Sequence, residues 1–478
     1  MNYRMIGYLL GIILMIEAAL MSLPLIVSLY YGEALFPIII TMLITLAISL
    51  PLVIFKPKNA RIYAKEGFIT VAAGWILLSV FGALPFTLGG SIPNYLDALF
   101  ETISGFTTTG ATILSEIESL PKGILFWRSF THWIGGMGVL VFILAILPSA
   151  GGQTMHLMRA EVPGPTKGKL VPKMKQTALI LYGIYIAFTF LEAISLLLCG
   201  LTFYDSMVTA LATAGTGGFS VLNASIAGYN NPSAEWVIAV FMFIFGVNFN
   251  LYFLILIGKA KEMFKSEELK VYLAICAISV TTIAINTAQM FDSIGETLRV
   301  SVFQVMSIIS TSGFSTADFG LWPVMSKMVV ILLMISGACA GSTAGGLKIS
   351  RILILFKSTI REIKHILRPR SVNVIRLDGE VLPDETVRAA GSYFIIYIML
   401  LFGTITLISI DGFSFETNFT AALSCINNIG PILGDIGPMG NFDGYSYFSK
   451  ILLSLAMLVG RLEIMPMIIL FSPMLSNI

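Results

Sequence analysis

The stretch NYLDALFETISGFTTTGAT (residues 94–112) decides the fold, because three further segments of the chain repeat its design. Each is a short amphipathic segment, too short to cross a bilayer, that leads into a polar motif containing glycine. An apolar run of membrane-spanning length lies on either side of each one. The other three segments are FYDSMVTALATAGTGGFS (203–220), TLRVSVFQVMSIISTSGFST (297–316) and FETNFTAALSCINNIGPILG (415–434).

The four motifs align on one glycine each. The aligned glycines are Gly110, Gly218, Gly313 and Gly430; two positions earlier stand Thr108, Thr216, Thr311 and Asn428; between them stand Thr109, Gly217, Ser312 and Ile429. Non-helical backbone survives at membrane depth only where it lines a cavity or is buried in protein. A short helix entering from outside directs its partly negative C-terminal end toward the membrane centre, and glycine lets successive carbonyls turn inward. Four such units around one axis predict a cation pore lined by carbonyl oxygens.

Composition places these repeats in a polytopic helical membrane protein. The 478 residues are 56% hydrophobic and 12% charged, with a mean hydropathy of +0.88, whereas soluble chains carry about 25% charged residues. We predict an all-α polytopic membrane protein with four span–pore helix–span repeats around one pore, preceded by two extra spans. The ten predicted spans are 6–31, 35–55, 67–89, 126–148, 177–201, 235–258, 270–290, 323–356, 389–410 and 447–471.

These spans divide the chain into successive units. We expect a leading helix pair (1–58), pore repeat 1 (59–150), pore repeat 2 (151–260), pore repeat 3 with an intramembrane loop (261–358), a cytoplasmic linker (359–384) and pore repeat 4 (385–478).

The charges predict the orientation. Arg4 and the loops on one side of the predicted membrane together hold 23 of the 29 Lys and Arg, so the positive-inside rule makes that side and both termini cytoplasmic. The opposite side holds five basic and 14 acidic residues, a net charge of −9. Such a surface would concentrate cations at a pore mouth. The alternative explanation is that acidic residues are nearly indifferent to topology.

Residues for other chemistries do not form the necessary patterns. The cysteines and histidines are widely spaced, without a disulfide framework or metal-ligand spacing. Gly341 and Gly346 have the spacing of a phosphate loop, but Leu347 stands where that loop needs lysine. A nucleophile paired with a base is also not indicated within the spans. We therefore expect no enzyme activity, no bound cofactor and no nucleic-acid partner.

Four stretches carry a resemblance to a known family: FWRSFTHWIGGMGVLVFILAILP (126–148), VFMFIFGVNFNLYF (240–253), GACAGSTAGGLK (337–348) and VGRLEIMPMIILFSP (459–473). They resemble signatures of the Trk/Ktr/HKT superfamily of cation transporters, and the two leading spans resemble its TrkH type, found in prokaryotic potassium uptake systems. The resemblance implies potassium uptake across the cytoplasmic membrane of a prokaryote. It also implies that the twelve aligned residues form a selectivity filter, with the potassium ion at backbone carbonyls.

The resemblance bears on the choice of ion. Sodium-preferring relatives carry serine at the first filter glycine, which here is Gly110, so potassium is implied. None of the four motifs reads TVGYG, and we therefore expect weaker discrimination between K⁺ and Rb⁺ or Na⁺ than in dedicated potassium channels.

A gate is implied as well. GACAGSTAGGLK interrupts an apolar run, and each Gly costs a helix about 1 kcal/mol relative to Ala. In the resembling family this stretch is an intramembrane loop that blocks the pore below the filter, and a pore-facing arginine lies near it. The implied gate residues are Gly337, Gly341, Ser342, Thr343, Gly345, Gly346 and Arg461. The alternative is close packing of small residues between helices.

Partners and the mode of transport complete the predictions. The resemblance alone implies a homodimer and a TrkA-type cytoplasmic nucleotide-binding regulator. The segment 357–388 starts as a basic helix, breaks at Pro369 and continues as short runs that predict a hairpin; lipid head groups are the alternative partner for its basic residues. An ion-coupled (proton or sodium) potassium symporter is the alternative function. The acids within spans, Glu17, Glu192 and Glu463, have no partner that the sequence identifies.

Overall fold

The computed structural model describes residues 2–55, 57, 64–138, 174–370 and 373–462. Most of this part is helical, and its strands are confined to one short antiparallel pair, so the predicted all-α fold is confirmed. A leading pair comes first, formed by Tyr3–Leu20 with its continuation Ser22–Tyr30 and by Phe36–Ile54. Both members are long and apolar enough to cross a membrane, as predicted.

Four units of one design follow, each with a preceding span, a short helix and a following span. Preceding spans 1 to 4 are Ala64–Gly82 (continued by Leu84–Leu88), Met174–Leu198, Glu267–Thr287 and Asp384–Ile408. Short helices 1 to 4 are Tyr95–Phe106, Phe203–Gly215, Ile294–Ile309 and Phe415–Asn427. Following spans 1 to 4 are Lys122–Gly136, Pro232–Gly246, Val324–Ser336 and Tyr447–Arg461. The fourfold recurrence of the sequence is therefore present in the fold.

The short helices begin where the sequence supplies a capping side chain. Each cap accepts a hydrogen bond from a backbone N–H in the first turn, and each first turn also holds an acidic residue. The caps are Asn94, Thr202, Ser293 and Ser414, and the acids are Asp97, Asp205, Glu296 and Glu416. A cap satisfies an N–H that the helix leaves unpaired, and an acid interacts favourably with the positive end of the helix. Local chemistry thus fixes the start of all four short helices.

The following spans are shorter than the predicted apolar runs. The prediction of one continuous span over 235–258 is wrong, because the helices Pro232–Gly246 and Phe249–Leu256 meet at a bend of 90°. Val247 is extended there, and the side chain of Asn248 caps the second helix. The predicted span 323–356 is divided by the predicted loop, with Ile349–Leu367 beyond it. Parts of two predicted spans, 139–148 and 463–471, lie outside the described residues.

Six helices of the described part are long and apolar enough to cross a membrane, or seven if the bent pair counts as one span. The remaining following spans are 15, 13 and 15 residues long within the described ranges. Only 28% to 61% of each spanning window is buried inside the protein. The apolar side chains left exposed on these helices would contact lipid, as a multi-pass membrane protein requires.

The segment between repeats 3 and 4 matches its prediction. Ile349–Leu367 is a helix that ends before Pro369, and strands Arg376–Leu377 and Glu380–Val381 pair as an antiparallel hairpin, called here the hairpin. Asp378 and Gly379 form its turn with φ of 51° and 83°, the conformation that two-residue hairpin turns favour. The remaining short elements are Ala260–Met263, Ser225–Tyr229, Phe319–Leu321 and Ser409–Asp411.

Candidate functional site

The four aligned motifs, called triplets 1 to 4 (108–110, 216–218, 311–313 and 428–430), have one backbone conformation. Their first residues, Thr108, Thr216, Thr311 and Asn428, have φ of 56°, 55°, 57° and 55°. Their glycines, Gly110, Gly218, Gly313 and Gly430, have φ of 79°, 77°, 78° and 99°. Positive φ is rare for a β-branched residue and costs about 1–3 kcal/mol where it occurs. Three threonines held in this strained conformation at equivalent positions indicate a geometry that the surrounding structure imposes.

Hydrogen bonds to the short helices hold this conformation. The N–H of the middle residue of each triplet donates to a carbonyl in the last turn of its short helix. These bonds run from Thr109 to Ser104 (2.8 Å), Gly217 to Ala212 (3.0 Å), Ser312 to Ser307 (2.9 Å) and Ile429 to Ser424 (3.0 Å). They resemble the bonds that close a helix C-terminus with a left-handed residue. The N–H groups therefore point back at the helices.

The glycines show that the triplets close a ring in chain order. A Cβ added to Gly110 would collide with the carbonyl oxygen of Gly217. The same collision joins Gly218 to the Ser312 oxygen and Gly313 to the Ile429 oxygen. Gly430 returns to repeat 1, where a Cβ would lie 2.7 Å from the Thr109 oxygen. Each triplet thus packs its glycine against the middle carbonyl of the next.

The carbonyl oxygens of this ring have no hydrogen-bond donor in the described part of the chain. None of the middle-residue carbonyls, those of Thr109, Gly217, Ser312 and Ile429, accepts a bond there. The ring is nevertheless in the interior, with Thr109, Ser312 and Ile429 almost fully buried. Buried carbonyls are normally paired. Four unpaired ones in a closed ring form an electronegative site that suits a dehydrated cation.

Side chains lock neighbouring triplets together. Asn428 donates from Nδ2 to Thr109 Oγ1 at 3.0 Å and to the Met457 carbonyl at 2.9 Å, which joins repeat 4 to repeat 1. His132 Nδ1 lies 2.7 Å from the Gly105 carbonyl, and its Nε2 accepts from Phe219 N at 3.3 Å. These two contacts require a neutral ring with its proton on Nδ1. The sequence did not single out either side chain as a link between repeats.

The predicted gate residues other than Arg461 lie in one largely buried loop directly against the triplets. Gly345 donates its N–H to Thr311 Oγ1 at 2.7 Å, and a Cβ on Gly345 would collide with the Asn427 carbonyl. Gly337, Gly341 and Gly346 have φ of 62°, 72° and 80°. The Ser342 hydroxyl donates within the loop, to the Cys339 carbonyl at 2.6 Å. Thus the loop, called here the intramembrane loop (337–348), contacts triplet 3 and the start of triplet 4.

The break in repeat 2 forms another side of this contact. Cys339 donates to the Gly246 carbonyl at 3.1 Å, and Phe249 donates to the Gly341 carbonyl at 3.0 Å. Thr343 Oγ1 donates to the Phe245 carbonyl at 3.3 Å. The 90° bend thus frees backbone groups that pair with the loop.

Arg461 connects the loop to the remaining repeats. Its guanidinium donates to the carbonyls of Thr343 at 2.8 Å, Gly136 at 2.8 Å and Gly135 at 2.5 Å. Following span 4 is thereby tied to both the intramembrane loop and the end of following span 1. The loop and Arg461 together contact residues from all four repeats.

A small cleft lined by basic side chains lies beside the loop. Its lining includes Lys348, Arg351 and Arg461, with Tyr393 and the small residues Ala344, Gly345, Gly346 and Gly460. Lys348 is almost fully buried and donates from Nζ to the Ala344 carbonyl at 2.5 Å. Three positive side chains therefore line one cleft beside the loop.

Charged contacts also join the repeats at the starts of the short helices. In three cases a following span pairs with the next short helix: Glu235 with Arg299 at 2.9 Å, Lys327 with Glu416 at 3.6 Å, and Lys450 with Asp97 at 2.8 Å. At the first junction the Lys122 ammonium lies 5.1 Å from the ring centre of Tyr204. These contacts therefore join the repeats in the same order, 1 to 2 to 3 to 4 and back to 1, as the triplets follow one another in the ring.

A buried ion pair joins short helix 1 to following span 1, next to triplet 1. Arg128 Nε donates to Glu101 Oε1 at 2.6 Å, and both side chains are almost fully buried. Glu101 also accepts from Ile113 N at 3.0 Å, while Arg128 donates to the Ser220 carbonyl at 2.8 Å. The pair therefore joins the segments that leave triplets 1 and 2. The sequence pattern does not single out Arg128 for this contact.

The acids within spans fall in two groups. Glu17 and Glu192 are buried; the Glu17 carboxylate accepts no hydrogen bond from the residues that the structure covers, whereas Thr213 interacts with the Glu192 carboxylate. Glu463 lies outside the described residues. No group of three His, Cys, Asp or Glu residues suited to a metal ion occurs among the residues described, and Cys199, Cys276, Cys339 and Cys425 are free thiols.

Comparison with known proteins adds sequence and structural relatives. The family model TrkH, "Cation transport protein", matches residues 34–477. The Trk system potassium uptake protein TrkH of Salmonella typhimurium is 34% identical over 486 residues, covering 99% of each chain. TrkG of Escherichia coli is 33% identical over 478 residues, covering 98% of each. The crystal structure of the potassium transporter TrkH from Vibrio parahaemolyticus superposes with a TM-score of 0.89 at 30% identity, over 99% of each chain. These relatives are transport proteins, so the interpretation of the chain as a transporter and not an enzyme is confirmed.

Proposed function

Because the chain belongs to the TrkH family of cation transport proteins, we propose that it takes up potassium through a channel-like pore. In this proposal triplets 1 to 4 are the selectivity filter, and the intramembrane loop with Arg461 is the gate. The relatives described above are named as potassium uptake proteins and a potassium transporter, which supports potassium as the ion.

The observation that carries the proposal is the closed ring of unpaired carbonyls. A potassium ion entering the ring would exchange its hydration shell for the carbonyl oxygens of Thr109, Gly217, Ser312 and Ile429. The short helices support it, since their C-terminal ends carry a partial negative charge and terminate at the triplets. The hydroxyl of Thr108 is also buried without a hydrogen-bond partner among the described residues, so it offers one further oxygen.

Contacts below the ring support a closed gate. The intramembrane loop bonds to Thr311 in triplet 3, and Arg461 spans from Thr343 to the carbonyls of following span 1. A cation leaving the ring would have to displace this loop and pass Lys348 and Arg461. Rearrangement of the loop therefore opens the path in our proposal.

A second candidate function is proton-coupled potassium symport. Glu17 and Glu192 favour it, because buried carboxylates within membrane spans mark proton or ion pathways in membrane proteins. They do not reach the ring through any hydrogen bond of the described residues. We therefore place channel-like passage first, with symport as the alternative.

The setting of the protein follows from the charge distribution and from family membership. We propose that the protein lies in the cytoplasmic membrane of a prokaryote with both termini cytoplasmic, since basic residues dominate that side. We further propose a homodimer, regulated by a TrkA-type nucleotide-binding partner that contacts the cytoplasmic linker. The division into a leading pair and four pore repeats belongs to the same proposal.

Uptake of radioactive rubidium into proteoliposomes tests the function. The variants are Gly110→Ser and a deletion of 339–345, measured with and without a proton gradient. We expect the wild type to be nearly closed, the deletion to leak, and Gly110→Ser to admit more sodium. If both variants match the wild type while a proton gradient drives uptake, symport replaces the pore proposal.

A further inference from the structure

We propose that Glu267 and Glu268 couple the cytoplasmic hairpin to the gate. Glu268 is a positioning residue that holds the intramembrane loop closed, and Glu267 connects the same helix end to the hairpin. This inference rests on the proposed function, because it assigns a role to residues that act on the proposed gate.

Glu268 closes the loop at its two ends. Its Oε1 accepts from Ala340 N at 2.7 Å and from Ser350 N at 3.0 Å. Ala340 lies near the start of the intramembrane loop, and Ser350 lies just after its end. One carboxylate oxygen therefore holds both ends of the loop from outside it.

A backbone hydrogen bond also joins the two ends of the loop. Ile349 donates to the Ala338 carbonyl at 3.0 Å, directly beside the Glu268 contacts. Glu268 is almost completely buried, so water competes little for its two N–H donors. Hydrogen bonds to a charged acceptor are about twice as strong as neutral ones. Loss of this carboxylate would release both ends of the loop together.

Glu267 connects the same helix end to the hairpin. Its backbone N–H donates to Asp378 Oδ1 at 2.7 Å, and Asp378 N donates back to Glu267 Oε1 at 3.1 Å. Lys357 pairs with the Glu267 carboxylate and also donates to the Arg376 carbonyl at 2.8 Å. The hairpin turn is thus bound to the first residue of preceding span 3.

The hairpin packs against the helix that follows the loop. Ile375 and Leu377 are buried in one cluster with Ile354 on the helix that follows the loop. Consecutive residues of a helix point about 100° apart, which lets Glu267 face the hairpin while Glu268 faces the loop. A partner that shifts the hairpin would therefore pull on the helix end that holds the gate.

Rubidium efflux from proteoliposomes without any added partner tests the role of Glu268. We expect Glu268→Ala to leak about tenfold faster than the wild type, because two bonds to a charged acceptor are lost. Glu268→Gln keeps an acceptor oxygen at the same place and should stay within about threefold of the wild type. The ratio of rubidium to sodium flux should not change in either variant, since the ring is untouched. Glu262→Ala, which removes an exposed acid paired only with Lys259 among the described contacts, is the matched control.

Amide hydrogen exchange tests the role of Glu267 and the hairpin. In Asp378→Ala the peptide covering 337–352 should exchange about fivefold faster than in the wild type, because one bond on the helix end is lost. Glu380→Ala changes an exposed side chain of the same hairpin and should leave that peptide unchanged. Faster exchange confined to the hairpin peptide would overturn the coupling.

The outcomes separate this inference from the proposed function. If the loop deletion leaks but Glu268→Ala stays as tight as the wild type, the inference is wrong and the gate proposal stands. If neither the loop deletion nor Gly110→Ser alters flux, the proposed function itself is wrong. If Glu268→Ala does not fold, Glu268→Asp serves in its place, because its side chain is one methylene shorter and its carboxylate cannot reach both N–H groups. Absence of a leak in Glu268→Asp would then overturn the inference.

Discussion

Arg461 donates to the Thr343 carbonyl at 2.8 Å, so a side chain of repeat 4 ties down the loop of repeat 3. The same guanidinium reaches the carbonyls of Gly135 and Gly136 in repeat 1. Only arginine has a planar group with several fixed donors that can serve three carbonyls at once. Loss of this contact should therefore increase the leak of ions through the proposed gate.

Arg461→Ala should raise rubidium leak about tenfold or more, because charged hydrogen bonds and a positive barrier are lost together. Arg461→Lys keeps the positive charge but loses the planar set of donors. Its leak should therefore lie between that of Arg461→Ala and that of the wild type. Efflux from proteoliposomes measures both. Arg361→Ala, a basic residue of the helix Ile349–Leu367 that pairs with Asp384, is the control. An Arg461→Ala protein as tight as the wild type would remove Arg461 from the gate.

In the leaking variant that lacks residues 339–345, alanine at the ring glycines should lower rubidium flux to different degrees. Gly218→Ala should lower it at least tenfold, because a Cβ would strike the Ser312 carbonyl and its φ of 77° strains any side chain by about 1–3 kcal/mol. Gly430→Ala should lose less, since its Cβ would lie 2.7 Å from the Thr109 oxygen, the widest gap in the ring. Gly403→Ala has open space within 4 Å in a helix and should be neutral. Equal effects of all three substitutions on flux would contradict the ring geometry.

Breaking the buried ion pair should destabilise the whole outer half of repeats 1 and 2. Arg128→Met leaves Glu101 charged and buried, which costs about 3–5 kcal/mol of unfolding free energy. The double variant Arg128→Met/Glu101→Gln removes that charge and should recover part of the loss. Thermal unfolding in detergent measures the series, with Lys259→Met in an exposed pair as the control. A double variant less stable than Arg128→Met alone would show that the burial of charge is not the cause.

The two lysine contacts at the repeat junctions should differ in strength. Lys450 is almost buried between Asp97 and Asp443, whereas the Lys327–Glu416 pair is 3.6 Å apart and partly exposed. Lys327→Met should therefore change the unfolding free energy by about 0–1 kcal/mol. Lys450→Met should cost more, about 3 kcal/mol, since it leaves Asp97 without its buried partner. High salt should narrow the difference only slightly, and equal losses for both variants would contradict the assigned burial.

Sequence reasoning reached the elements that depend on local pattern. The apolar runs predict the positions of the long helices. The alignment of Gly110 with Gly218, Gly313 and Gly430 identifies four residues that lie in one ring in the structure. The alternating runs after Pro369 predict a hairpin, and the structure places its turn at Asp378 and Gly379. These features can be read from sequence because each depends on neighbours in the chain.

Features that depend on distant contacts were missed. The 90° bend at Val247 looked like part of one span, although Asn248 is a capping residue inside an apolar run and could have marked the break. The role of Glu268 is not visible in the sequence, because its partners Ala340 and Ser350 lie 72 and 82 residues away. The Arg128–Glu101 pair was missed for the same reason. A charge near a predicted span end does not reveal in sequence whether it is buried.

Anomalous scattering from rubidium in crystals of the protein would locate the bound ion. We expect an anomalous peak on the axis of the ring, bounded by the carbonyl oxygens of Thr109, Gly217, Ser312 and Ile429. An empty ring, with rubidium bound instead beside Glu17 or Glu192, would contradict it and make those buried acids the ion pathway.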